Sequence, residues 1–479
     1  MTSFLSPERV YDIFSELNAI PRPSHHEEQV ADYLCRFAKR LHLDYQRDEH
    51  HCVVIRKPAT PGHEHATPIV LLNHMDMVCV GMDDPLHTPI QAYTDNGWMK
   101  AHGTSLGADN GVGLSMALAV LEADNLVHGP LEVLTTTNEE DGMSGAAALA
   151  PDFICGRKVI NLDSEDYDTI TTGAAGACLQ LHRLPIRRLP APKGKYRWYR
   201  ITFSGGHGGH SGVDINKGRA SAVLTTWALL QAVLQQYDFH LAALNIGEAN
   251  ASIASAAEAV VCVPSGEAAE WVKAQKDSMN QWLQEEYGNT DPHMHCDIVK
   301  AEPLPTIIDD DDFHCLMKVL EQLPQGVQKM SDIMPDTVET SNNVGRVMTE
   351  ADHILVSTHT RSFIDAEMHR LCQEIADVFH HVGASSQTVM TAPAWQENQQ
   401  SDFLRLTSDT FHDILGWRPR MVAMHFVLEA GFFVQKYPGI EIASIGPRIV
   451  EPHSTNERVQ LSTIDDIWKV LQELLHRLA

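Results

Sequence analysis

The chain has 479 residues, 43% hydrophobic and 21% charged, and at that length it divides into two or three domains, each with enough apolar material for a core. Its 36 Lys and Arg stand against 63 Asp and Glu, and the net charge of -27 repels phosphate backbones and anionic lipid, which excludes nucleic acid and membrane surfaces as partners. No segment approaches the ~18 apolar residues of a membrane span, and the start, MTSFLSPERVYDIFSELNAIPRP, has no basic stretch followed by an apolar run, so the expected location is cytoplasmic.

In chain order, Ser6-Pro7-Glu8 supplies an N-cap, a first-turn proline and a first-turn acid, and Val10, Ile13, Phe14 and Leu17 follow at helical spacing. Val30, Leu34, Phe37, Ala38 and Leu41 predict a second helix. Strands are expected at Cys52 to Ile55, Ile69 to Leu72, Leu131 to Thr137 and Val159 to Leu162, with helices from about Gly111 to Ala123 and from Gly145 to Leu149. Such alternation predicts an α/β fold with a mainly parallel sheet flanked by helices. Ligands of such sheets bind beyond the carboxyl ends of the strands.

The basic, proline-rich segment Ile186 to Trp198 reads as a linker. After it come a strand, the glycine-rich turn SGGHGGHSG and a long helix, and a strand at His353 to Ser357 with a helix from about Asp365 to Val378 repeats that order. The reading is an inserted α+β domain of two related halves. The expected division is residues 1–192, an insertion at 193–391 and a return at 392–479.

Chemistry gathers at five places: His74-Met75-Asp76 after an apolar run, Asp109 in GTSLGADNGVG, Glu139-Glu140 in TTNEEDGMSGA, Asp163 in VINLDSED and His453 in EPHSTNE. Each has a plainer reading alone, as a surface pair, a glycine turn, a solvated acidic face, a helix cap or one of 27 histidines. Together, at successive strand ends, they suffice for two zinc ions sharing one bridging carboxylate. Strand alternation puts His74 and Asp76 on one face. The nine cysteines are scattered and form no CxxC pair, so neither disulfides nor thiolate zinc sites are expected.

The series from AIPRPSHHEE through LLNHMDMV, GTSLGADNGVG, NLDSED and GGHSGVDI to EPHSTNE resembles the co-catalytic zinc peptidases of clan MH, and most closely the aminoacyl-histidine (Xaa-His, cytosol non-specific) dipeptidases. The resemblance covers nearly the whole chain. It implies a zinc-exopeptidase catalytic domain with the insertion as a lid, and two zinc ions: one on His74 and Asp163, the other on Glu140 and His453, bridged by Asp109. The same N and O donors also accept Co²⁺ or Mn²⁺.

Asp76 would orient His74 through its second ring N–H, and Glu139 would be the general base that serves attack by metal-bound hydroxide. Residue chemistry alone leaves the roles of the two adjacent glutamates open; the family pattern assigns them. It also implies a cis peptide at Asp109-Asn110 and an oxyanion-stabilising role for His210.

Arg361 and Asn343 are candidates for gripping a free substrate carboxylate, which a guanidinium pairs bidentately. His207 stands where relatives lack a histidine and receives no role. The segment HFVLEAGFF departs from the family's HAGLECG, and Phe426 and Val427 put the side-chain preference in question. The expected activity is hydrolysis of small unblocked dipeptides, Xaa-His included. Alternatives are a tripeptidase, an N-acyl amino acid deacylase, or a catalytically silent binding protein on this fold. A homodimer is the favoured assembly.

Overall fold

The computed structural model describes residues 4–396, 398 and 400–479. The chain forms two compact units. The first runs to Gly173 and resumes over Trp395–Ala423 and Glu429–Ala479; the second comprises Ala174–Ala394 and Met424–Leu428.

The first crossing therefore precedes the segment that reads as a linker. Arg188–Pro190 in that segment pairs antiparallel with Thr306–Ile308, and the flanking strands Gly176–Pro185 and Tyr196–Ser204 both belong to the second unit's sheet. Proline is tolerated in short edge strands, so a proline-rich composition here marks an edge and not a boundary.

The first unit is built on an eight-stranded sheet in the order Asp44–Arg47, Val53–Lys57, Leu131–Thr136, Ile69–His74, Lys158–Asn161, Glu441–Ser444, Thr169–Ala174, Arg420–Met424. Its centre is parallel, across the pairs formed by Leu131–Thr136, Ile69–His74, Lys158–Asn161 and Glu441–Ser444. The flanks include antiparallel pairs. Central parallel strands are covered on both faces and so read as continuous apolar runs; Ile69, Val70, Leu71 and Leu72 are all buried, as are Val133, Leu134, Val159 and Ile160.

Helix Leu461–Arg477 closes the first unit's core. Ile464, Ile467, Trp468, Leu471, Leu474 and Leu475 recur at helical spacing and are buried, and Trp468 Nε1 donates to Leu5 O at 2.9 Å. The second unit carries a nine-stranded sheet in which Val338–Thr349 and His353–Ser362 pair antiparallel over most of their length. Both strand-and-helix pieces expected from the sequence lie on this one continuous sheet, with helices Ala222–Leu234 and Asp365–His380 following their strands.

Helix Ala108–Glu122 is buried from Ala108 through Leu121, so it has no polar face to offer solvent. It fits because small residues let backbones approach. A Cβ on Gly113 would meet Leu162 O at 2.0 Å and Asn110 Oδ1 at 2.2 Å. Gly113→Ala gains about 1 kcal/mol of helix propensity and loses about 1–3 kcal/mol or more to overpacking against a backbone carbonyl that cannot turn aside. The expected result is net destabilisation, read as a lower denaturation midpoint in urea at unchanged slope.

Candidate metal centre

The parallel register sets His74 beside Thr136, and Leu72 beside Asn161. The chain leaves these three strand ends on one edge. Beyond Thr136 it turns at Asn138, with φ of 56°, and presents Glu139 and Glu140. Beyond Asn161, Leu162 N still donates to Leu72 O at 3.0 Å, and Asp163 follows. Asp109 comes from the first turn of the buried helix, entered through left-handed Gly107, and the Asp109-Asn110 peptide is cis. His453 sits in a turn near the C-terminus with φ of 57°.

These residues meet through Asp109. Its Oδ1 lies 3.1 Å from His74 Nε2 and its Oδ2 lies 3.1 Å from His453 Nε2. Each imidazole nitrogen has a second carboxylate: His74 Nε2 is 3.3 Å from Asp163 Oδ1, and His453 Nε2 is 2.9 Å from Glu140 Oε2. The Asn110 amide donates to Asp163. Donor atoms of His74, Asp109 and Glu140 all lie within 4.8 Å of one another.

Asp76 does something the strand pattern does not predict. The strand ends at His74, so the alternation of faces stops before Asp76. His74 Nδ1 is 3.1 Å from the Asp76 backbone carbonyl and 3.5 Å from its Oδ1. The Asp76 carboxylate accepts from Ser24 Oγ at 2.8 Å, Glu139 N at 3.1 Å and Glu140 N at 3.2 Å. It therefore fixes the loop that carries both glutamates as well as lying against the histidine.

Acidic groups outnumber the bases here, and burial makes that costly. Burial pushes Glu139 well above the ordinary carboxylate range, against the pull of His74 and with the push of Asp163 and Glu429. Burial likewise raises Glu140, against its hydrogen bond to His453, and raises Asp163, against His74. Asp109 is held low despite its burial, because it faces both imidazoles. His453 is pushed up to about 11 by its hydrogen bonds to Asp109 and Glu140.

A divalent cation fits this donor set. The buried Glu140 Oε1 has no hydrogen-bond partner, and two imidazoles with three carboxylates are the N and O ligands that zinc, cobalt or manganese take.

In the second unit, His210 Nδ1 accepts from Gly212 N and Val213 N, both at 3.2 Å. The neutral ring then carries its proton on Nε2, and burial together with Arg361 pushes the imidazole down to about 4, keeping it neutral. Nε2 lies 3.4 Å from Arg361 Nη2, which is also 3.3 Å from Ser211 Oγ. Arg361 is 3% exposed, its Nε has no hydrogen-bond partner, and burial lowers it to about 10. Asn343 lies across from His359 on the paired strands and is held by Ser252 O at 2.8 Å. His207 is tied to the backbone, donating from Nδ1 to Thr290 O at 2.5 Å. The Phe426 ring stands edge-on to His210 with centroids 6.3 Å apart.

Sequence reasoning missed several polar groups around the first unit's cluster. Glu429 is buried and pushed up to about 8, and Glu165 is likewise raised to about 8, both by burial first. Glu457 accepts the N–H groups of Leu106, Gly107 and Ala108. Arg22 is fully buried beside them. Glu457 and Arg22 lie inside the EPHSTNERV and AIPRPSHHEE segments, whose texture is the only signal either leaves in the sequence.

The model of peptidase family M20/M25/M40 matches residues 70–477. The cytosol non-specific dipeptidase of Escherichia coli (strain K12) is 34% identical over 479 residues, covering 99% of this chain and 98% of that protein. The structure is similar to the crystal structure of the aminoacylhistidine dipeptidase from Vibrio alginolyticus, with a TM-score of 0.92 and 33% identity over 99% of this chain and 97% of that one. The aminopeptidase PepT from Bacillus cereus, at 16% identity and a TM-score of 0.62 over 99% and 100% of the two chains, shares the fold.

Replacing the shared carboxylate tests the cluster directly. Asp109→Asn should weaken zinc binding by more than about tenfold in equilibrium dialysis. Asp141→Ala, which removes an exposed partner of His25, should leave binding unchanged.

Proposed function

The chain belongs to peptidase family M20/M25/M40 and is a peptide hydrolase, and from that premise we propose a dinuclear zinc dipeptidase acting on unblocked dipeptides, Xaa-His among them. The observation that carries the reading is the division of Asp109 between two imidazoles, each with its own second carboxylate. That is the donor arrangement for a pair of ions with a shared ligand: His74 and Asp163 on one side, His453 and Glu140 on the other. Bound zinc would polarise the scissile carbonyl and acidify the attacking water.

The protein's own groups supply the rest. Glu139 takes the proton from the water and passes it to the leaving amine, and burial raises its affinity for that proton. Asp76 holds the backbone of Glu139 and Glu140 and lies against His74, so it positions base and ligands together.

His210, neutral with its Nε2–H free to donate, stabilises the oxyanion. Its proton and the Arg361 guanidinium are two donors 3.4 Å apart, an arrangement that suits a negatively charged oxygen between them. Arg361, with burial as the one cause of its lowered basicity, is the proposed grip on the substrate carboxylate, with Asn343 on the paired strand as the second candidate. Phe426 packs near His210 and, with Val427, sets the side-chain preference. The cytoplasm is the proposed location. All nine cysteines are free thiols, which a reducing compartment maintains.

Hydrolysis of β-Ala-His, several α-dipeptides, tripeptides and N-acyl amino acids, measured side by side before and after chelation, tests the proposal. Dipeptide cleavage that chelation abolishes and zinc restores at two ions per chain is expected. Preferential cleavage of tripeptides or acylated substrates would keep the metal reading and reject the substrate class. Glu139→Ala should bind zinc and lose turnover, and near-normal kcat in that variant would remove Glu139 as the base. His210→Ala should lower kcat by about 10²–10³-fold. Arg361→Met should raise KM by about tenfold or more, the loss of a charge-assisted hydrogen bond.

A further inference from the structure

The segment Pro21-Arg22-Pro23 joins the first two helices, Glu8–Asn18 and Glu28–Arg40, and Arg22 is 1% exposed. Its guanidinium donates in three directions: from Nη1 to Met75 O and Asp76 O, each at 3.2 Å, and from Nη2 to Gly107 O at 2.7 Å. Its own backbone O accepts from Met77 N at 3.1 Å, and Pro23 bridges to Met77 in parallel. The two carbonyls at 75 and 76 follow His74 directly, and Gly107 stands two residues before Asp109. One side chain thus spans the loop after His74 and the turn that presents Asp109.

Glu457 holds the same turn from the other side. Its Oε2 accepts from Leu106 N at 2.7 Å and Gly107 N at 3.0 Å, and its Oε1 from Ala108 N at 2.8 Å, with Asp109 N 3.5 Å away. The Ala108 and Asp109 N–H groups belong to the orphan donors of the helix start, and those of Leu106 and Gly107 lie in the turn that leads into it. Glu457 is also the foremost negative charge acting on Arg22, and the fit is close: a Cβ on Gly107 or Gly111 would come within 2.6 Å of Arg22 Nη2. A buried guanidinium costs free energy that a surface one does not, and the absence of a Cβ at Gly107 and Gly111 is what leaves room for it.

We propose that Arg22, working with Glu457, is a positioning residue that fixes the separation between His74 and the bridging Asp109, so that the site is preformed before any ion arrives. This rests on the dinuclear reading above. A lysine supplies the charge but not the planar fork that reaches three carbonyls. Charge alone therefore does not replace Arg22.

The test uses the full-length protein and three variants: Arg22→Lys, Arg22→Met, and Arg22→Met combined with Glu457→Gln, which removes both buried charges together. Three quantities are read: zinc affinity by competition with a chromogenic chelator, thermal midpoint by circular dichroism, and kcat and KM on a dipeptide at saturating zinc. The expected result is about 10–100-fold weaker zinc binding in all three, with kcat reduced and KM unchanged. In the double variant the thermal midpoint should recover relative to Arg22→Met while zinc affinity does not.

Wild-type zinc affinity and kcat in Arg22→Lys would overturn the proposal. So would variants that fail to fold, or whose zinc affinity recovers in step with the thermal midpoint, since either result assigns Arg22 to global stability. A wild-type protein that binds no zinc refutes the metallopeptidase reading itself. Zinc binding by the wild type with unaffected Arg22 variants refutes only the positioning role.

Discussion

Asp109 is a buried carboxylate that stays ionised because two imidazoles share it, one oxygen each. Everything else at this edge of the sheet follows from that arrangement. Burying a charge costs several kcal/mol unless it is paired and hydrogen-bonded, and the partners come from residues 74 and 453, near opposite ends of the chain. The carboxylate is stable only in a closed fold. Burial raises the proton affinity of the neighbouring acids Glu139, Glu140 and Asp163 instead.

Strand spacing explains why the candidate cluster is so compact. Adjacent strands lie about 4.8 Å apart, and the strands ending at Thr136, His74 and Asn161 are consecutive in the sheet. Groups at and just beyond their ends fall naturally within a few ångströms of each other, and donor atoms of His74, Glu140 and the helix residue Asp109 lie within 4.8 Å of one another. Parallel neighbours require a crossover, and the helix between the His74 strand and the Leu131 strand is the one that carries Asp109 in its first turn. The fourth side of the cluster comes from the topology that makes the other three coincide.

His74, Asp109, Glu139, Glu140 and Asp163 were legible because each ends or follows an apolar strand or a glycine turn, features that survive in one dimension. The central parallel strands were legible for the same reason. His453, by contrast, stands in a polar turn that leaves no such mark. Asp76 was legible as a neighbour of His74 but not as the anchor of the Glu139-Glu140 backbone, since that contact depends on the separate strand Leu131–Thr136. Arg22 and Glu457 left no periodic signal: their partners are backbone groups, which every sequence has. The segment around Arg188 and Pro190 misled because proline has two structural uses, and only a pairing partner at Thr306–Ile308 distinguishes an edge strand from a linker.

The interruption of the first unit by the second also orders events in time. Residues 74 to 163 leave the ribosome before the second unit, and His453 emerges 290 residues after Asp163 (453 minus 163). At about 5–20 residues per second, that interval lasts roughly 15 to 60 s. Throughout it the nascent chain holds the Asp109 carboxylate without His453 and the turn of Leu106 to Ala108 without Glu457. The complete cluster therefore arises only after the whole second unit has been made, so a chain cut before His453 carries an incomplete cluster.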